Sequence, residues 1–247
     1  MEQEKKPKLT PVFTLLESAI KTWWKNLRKI IGVYIWGLFL AIIPLVIVLI
    51  FFGLAAWLDQ NSATSLSFKI VLGVVTAVGI LLAVYFSIRA YMGVFLLVKK
   101  DYQGQELEIF KETKKLFWPY LGLTILTTVL IFLWALLLII PGIIYSIFYS
   151  FAVYAFFFED KRGMAAIRRS FSLVKGYWWP VFGRLLVLGI VCWIFLMLIS
   201  IPLGLSDDQS VFYQIWNIFI QVVNFLVGPI ALLFSYQIYQ DLVKLKK

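Results

Sequence analysis

Six long apolar stretches, at residues 30–58, 70–98, 120–140, 143–158, 181–203 and 212–239, alternate with short polar segments along the chain. Each predicts a transmembrane helix. A bilayer core about 30 Å thick takes roughly 20 helical residues, and lipid offers the backbone no hydrogen-bond partner outside the segment. The third and fourth stretches meet at Pro141-Gly142, a turn signal that predicts a tight hairpin there.

The polar segments have a pattern of their own. Before the first stretch, Val12, Phe13, Leu15, Leu16, Ala19, Ile20, Trp23 and Trp24 fall on one helical face, opposite Glu17, Ser18, Lys21 and Lys25. Between the fourth and fifth, Met164, Ile167, Phe171, Val174 and Trp178 recur three and four apart, opposite Arg168, Arg169, Ser172 and Lys175; residues 106–118 repeat the pattern more weakly. These segments predict interfacial helices that lie in the head-group plane and then turn up into a span. Shifting the chain by 61 residues superposes Lys114 on Lys175, Trp118 on Trp179, Pro119 on Pro180, Gly122 on Gly183 and Pro141 on Pro202, and a looser third copy runs from Trp23-Trp24 to Pro44. A shift across two spans keeps their direction, so the repeat is parallel.

The expected fold is therefore all-α. It is a polytopic membrane protein in which six transmembrane helices form three parallel repeats of an interfacial amphipathic helix plus a hairpin. Residues 1–247 read as one membrane domain: tail and amphipathic helix 1–29, hairpin 30–98, amphipathic segment 99–119, hairpin 120–158, amphipathic segment 159–180, hairpin 181–239 and basic tail 240–247.

Charge orients this arrangement. Of 23 Lys and Arg residues, all but Lys69 fall on one side of the six spans, and the positive-inside rule makes that side, with both termini, cytoplasmic. The composition, 62% apolar and 15% charged, lies outside the soluble range. The net charge of +10 sits beside spans, where anionic lipid head groups attract each Lys or Arg by about 1 kcal/mol, so the expected partners are anionic membrane lipids and unidentified proteins, not nucleic acid.

Candidate chemistry is sparse. There is no histidine, all 13 carboxylates lie in loops or at segment ends, and no phosphate-binding glycine motif occurs, so no enzyme, metal or cofactor is expected. In the last stretch Ser210, Gln214, Asn217, Gln221, Asn224, Gly228, Ala231 and Ser235 share one face. Gln214, Asn217, Gln221 and Asn224 either line a polar path, as in a permease or channel component, or bond neighbouring helices. The second stretch has a small face, Thr76, Gly79, Ala83, Ser87, Ala90 and Gly93, suited to pack against the last. Arg89 is read either as a cation snorkelling to the interface or as a buried one meeting the amides of the last span or a lipid phosphate; Arg184 is expected to snorkel. Lys21, Lys25, Arg168, Arg169 and Lys175 are the candidate lipid-facing cations. The paired tryptophans 23/24 and 178/179, with Trp118, read as interfacial belt residues.

The stretches PGIIYSIFYSFAVYAFFFED from Pro141, AAIRRSFSLVKGYWW from Ala165 and GPIALLFSYQIYQDL from Gly228 resemble a bacterial six-span family. This family includes the membrane domain fused to glycerophosphodiester phosphodiesterases and related stand-alone inner-membrane proteins. The resemblance covers roughly residues 10–245 and implies the bacterial cytoplasmic membrane. No phosphodiesterase residue is carried over, because this chain has no positions matching them.

Overall fold

The computed structural model describes residues 9–60, 66–99, 106–204 and 210–246. Among them are eight α-helices and no strand: α1 (Val12–Gln60), α2 (Leu66–Lys99), α3 (Glu106–Leu137), α4 (Ile139–Tyr149), α5 (Ala152–Phe158), α6 (Gly163–Val174), α7 (Trp178–Gly204) and α8 (Val211–Leu245). Six helical segments, with α4 and α5 together forming the fourth, are long and apolar enough to cross a membrane, which is the architecture of a multi-pass membrane protein. Lys5, Lys6, Lys8, Lys100, Asp207, Asp208 and Lys247, which enter the charge partition, lie outside the described residues.

Two compact units divide the chain, one of Met1–Asn26 with Pro119–Lys247 and one of Leu27–Trp118. In the first, the core gathers at one end. Phe151, Ala155, Phe156 and Phe157 of α5 and its approach, Ile167, Leu173 and Val174 of α6, and Leu233, Phe234 and Ile238 of α8 are all buried. In the second unit the buried residues include Ile30 and Val33 of α1, Met92 to Leu97 of α2, and Ile109 and Phe110 of α3. Away from these cores the spans present Leu, Ile, Val and Phe outward, which only lipid can cover at no cost.

Several sequence expectations are revised. The hairpin between the third and fourth spans turns at Leu138, whose extended backbone (φ −162°, ψ 146°) is the N-cap of α4; Pro141 and Gly142 lie inside the first turn of that helix. Proline is tolerated there because the first-turn N–H groups have no intrahelical partner anyway. Gly142 is needed for approach, since a Cβ at that position stands 2.8 Å from Ala135 Cβ and 2.9 Å from its Cα. The interfacial segments before the first and third spans are not separate helices: α1 and α3 each run unbroken through them, and Pro119 lies inside α3. No Gly or Pro interrupts residues 12–31, whereas Gly176, at φ 89°, ends α6 in the left-handed conformation and starts a new direction before α7. The small face of α2 packs on α1 within the second unit: a Cβ at Gly93 lies 2.6 Å from Val33 Cγ1, and Gly79 abuts Val48 and the Pro44 carbonyl.

Candidate functional site

Short polar clusters hold the buried end of the first unit together. The α4–α5 junction breaks a would-be span at Ser150-Phe151, and α6 repairs it. The Ser170 hydroxyl donates to the Phe148 carbonyl (2.6 Å) and accepts from the Phe151 N–H (3.0 Å), taking up two backbone groups that the break frees. Ser170 is fully buried, and Phe171 stacks on Phe148 at 4.4 Å beside it. A nonhelical backbone at membrane depth survives where a neighbouring hydroxyl re-satisfies it. Sequence reading passed over this serine, although it stands alone among Ala166, Ile167, Leu173 and Val174 at helical spacing, and that isolation is the available signal.

Below the break, Glu159 collects three donors. Arg169 Nε reaches both carboxylate oxygens at 2.9 and 2.8 Å, the Tyr239 hydroxyl donates at 2.8 Å, and Lys161 Nζ lies at 3.4 Å. Burial pushes the Glu159 carboxyl up, but the bonds from Tyr239, Arg169 and Lys161 together outweigh it and hold the group below the usual carboxylate range. Arg169, expected to face lipid, is instead turned to this carboxylate. An open pocket of 320 Å³ beside the node is lined by Phe158, Glu159, Tyr236, Tyr239, Gln240 and Lys244.

The chain leading into α1 is clamped between α7 and α8. Arg184 donates to the Leu9 carbonyl (3.0 Å) and the Thr10 carbonyl (2.8 Å), and the Thr10 N–H donates to Asp241 (3.0 Å). Arg184 also donates to the Pro180 carbonyl, so with three backbone carbonyls within its reach it is a structural clamp and not a snorkelling anchor. Further along, Ser18 bonds the Gln237 side-chain amide at 2.6 Å and Trp23 Nε1 donates to the Leu226 carbonyl at 2.9 Å.

That clamp sorts the faces of the N-terminal part of α1. Leu15 and Ala19 turn inward and are buried, while Phe13 (81% exposed) and Trp24 (70%) point outward with Ile20. Phe13, Leu16, Glu17, Ile20, Lys21 and Trp24 line an open apolar groove of 540 Å³ on this outer side. The two tryptophan pairs divide alike. Trp23 and Trp178 donate inward, the latter to the Ile144 carbonyl at 3.1 Å, while Trp24 and Trp179 face out. Lys21, Lys25, Arg168 and Lys175 are exposed.

In the second unit Arg89 is buried, 7% exposed. Its Nε donates to Thr113 Oγ1 (3.0 Å), Nη2 to the Phe110 carbonyl (2.6 Å), and the guanidinium lies 4.2 Å from the Phe110 ring centre. A hydroxyl, a carbonyl and an aromatic face therefore cradle the cation, which joins α2 to α3. Arg89 is thus buried, but its partners are Thr113 and Phe110 and not the last-span amides or a lipid phosphate that the sequence reading gave a buried Arg89.

The amides of α8 are not drawn together around any path within the first unit. Gln214, Gln221 and Asn224 are exposed and Asn217 is half-buried; Gln221 Nε2 donates to Asn217 Oδ1 at 3.3 Å along the same helix. Among the described residues no group of three His, Cys, Asp or Glu side chains is placed to hold a metal ion. No family model, curated protein or solved structure matches this chain.

Proposed function

We propose that this is a non-enzymatic multi-pass protein of the bacterial cytoplasmic membrane, with both termini cytoplasmic, that engages anionic lipid head groups through the outer face of α1 and the basic residues of α6. The observation that carries the reading is the groove on α1. Phe13, Leu16, Ile20 and Trp24 present apolar surface beside Lys21 and Lys25 on the part of α1 that precedes the apolar stretch 30–58, so that aromatics meet acyl chains and cations meet phosphates at the membrane surface. The partition of basic residues supports the orientation, and the resemblance of residues 141–160, 165–179 and 228–242 to the phosphodiesterase-linked membrane domain supports the location. A transport role would need the α8 amides to line a path, and their outward placement does not favour it.

Native mass spectrometry of the detergent-solubilised full chain, with phosphatidylglycerol or phosphatidylcholine added, tests the lipid assignment. Wild type should retain phosphatidylglycerol selectively, and the Lys21→Gln/Lys25→Gln/Arg168→Gln/Lys175→Gln variant should lose about fivefold in affinity per charge removed. Equal retention of both lipids by wild type would overturn it. Orientation is tested in a Cys192→Ser background by single cysteines at Ser62, Ser206 and Gln103, positions outside the described residues. An impermeant thiol reagent added to intact cells should label the first two; labelling of the third sinks the orientation.

A further inference from the structure

The outer half of α8 carries polar side chains where lipid is expected. Gln214, Asn217, Gln221 and Asn224 start about 6 Å of helix rise below Ser210 and extend some 15 Å further, well inside an apolar layer of about 30 Å. Their neighbours Ile215, Ile218, Val222 and Phe225 are exposed apolar residues, as on any lipid-facing helix. Acyl chains cannot bond an amide, and the single contact between Gln221 and Asn217 leaves most of the donors and acceptors of the four unanswered.

Their spacing says what could answer them. Positions 214, 217, 221, 224 and 228 advance by three, four, three and four residues, the 3.5-residue period of a left-handed helix pair, where such positions form the seam. Gly228 continues the seam, and a Cβ built on it meets nothing within 4 Å, so the face is open at that point. An amide is both donor and acceptor. A stripe of amides is therefore complementary to an identical stripe, whereas a carboxylate or ammonium stripe would repel its own copy.

We propose that the outer face of α8 pairs with the same face of a second copy of this chain, forming a parallel dimer about an axis along the membrane normal. Copies inserted with the same orientation necessarily present α8 to one another parallel and in register, and an isologous contact places Asn217 opposite Asn217 and Asn224 opposite Asn224. A polar residue in such a seam fixes register and partner number. The surrounding apolar surface contributes little within a bilayer, because lipid tails cover it equally well, so recognition falls on the amides and on close approach at Gly228.

The test uses the full chain with Cys192→Ser and one cysteine at a time at Asn217, Asn224, Phe219 or Val222, oxidised in native membranes. Phe219 and Val222 are themselves exposed, so they control for chance collision. Covalent dimers from 217 and 224 but not from 219 and 222 are expected. Equal cross-linking at all four, or none at the stripe, overturns the proposal. A second measurement avoids cysteines: the particle mass of wild type in lipid nanodiscs should be that of two chains, and Asn217→Leu/Asn224→Leu should weaken the pairing about tenfold, taking about 0.6 kcal/mol for each of the two amide pairs lost at the seam. A monomeric wild type, whose amides are then met by bound lipid head groups or by another part of the same chain, overturns it as well.

Discussion

Within the first unit, two neighbouring regions handle polar side chains in opposite ways. At the buried end, Ser170, Glu159, Gln237 and Asp241 each meet a partner from a different helix or from the chain entering α1, and every bond closes within the molecule. Along residues 211–228 of α8 the amides point outward, and their one mutual bond runs along their own helix. The same helix thus bonds within the molecule through its C-terminal half, while its N-terminal half packs on α7 through Trp216 and presents the amides on another face. Interior polar bonds specify how helices meet inside one chain; outward ones can only specify what meets the chain.

The comparison breaks most visibly at Ser170. Ser170→Ala removes the hydroxyl without adding bulk and leaves the Phe148 carbonyl and Phe151 N–H unpartnered in a buried site, a cost of about 2–4 kcal/mol. Thermal unfolding followed by tryptophan fluorescence should show a larger loss than Glu159→Gln or Gln237→Leu produces. A loss under about 0.5 kcal/mol would mean that the helix break does not depend on α6.

Glu159→Gln is the next largest. It keeps the Tyr239 acceptor and the size but removes the charge facing Arg169, and since both side chains are about a quarter exposed or less, the loss should be about 1–2 kcal/mol. It also sets a pH dependence. Because the folded carboxyl is held below its ordinary range, the unfolded chain takes the proton more readily. The stabilisation is therefore full above the unfolded pKa, about 4.3, and is lost as pH falls through the folded value. The gap between wild type and Glu159→Gln should accordingly close on acidification below about pH 4. A constant gap would show that the carboxylate charge is not what stabilises the node.

How much of this was legible in the sequence follows from range. The six spans were readable because each rests on its own composition, and α6 stood out because Met164, Ile167, Phe171 and Val174 recur at helical spacing. The hairpin turn was misplaced by three residues, since Pro141 reads as a break whether it precedes a helix or sits in its first turn. Arg169 and Arg184 were misassigned for a different reason. Helical periodicity places a side chain on a face but is silent about a carboxylate ten residues back or carbonyls more than 170 residues away.

The smallest effect is expected where the sequence pattern was most regular. Replacing Gln214, Asn217, Gln221 or Asn224 singly by Leu should change the stability of the detergent-dispersed monomer by less than about 0.5 kcal/mol, because three of them are exposed, Asn217 is half-buried, and their hydrogen bond runs along α8 itself. Gln237→Leu, nearer the C-terminal end of the same helix, removes the bond to Ser18 and should cost about 1–2 kcal/mol. The measurement has to be made at a protein concentration low enough to hold the monomer, since any association adds a concentration-dependent term to the apparent stability. If the four outward substitutions cost as much as Gln237→Leu, the amides are bonded within the chain, and the division of α8 into an internal half and a presented half is wrong. If they cost nothing in the monomer yet lower the melting temperature at high protein concentration in lipid, their energy lies between molecules, as the outward placement requires.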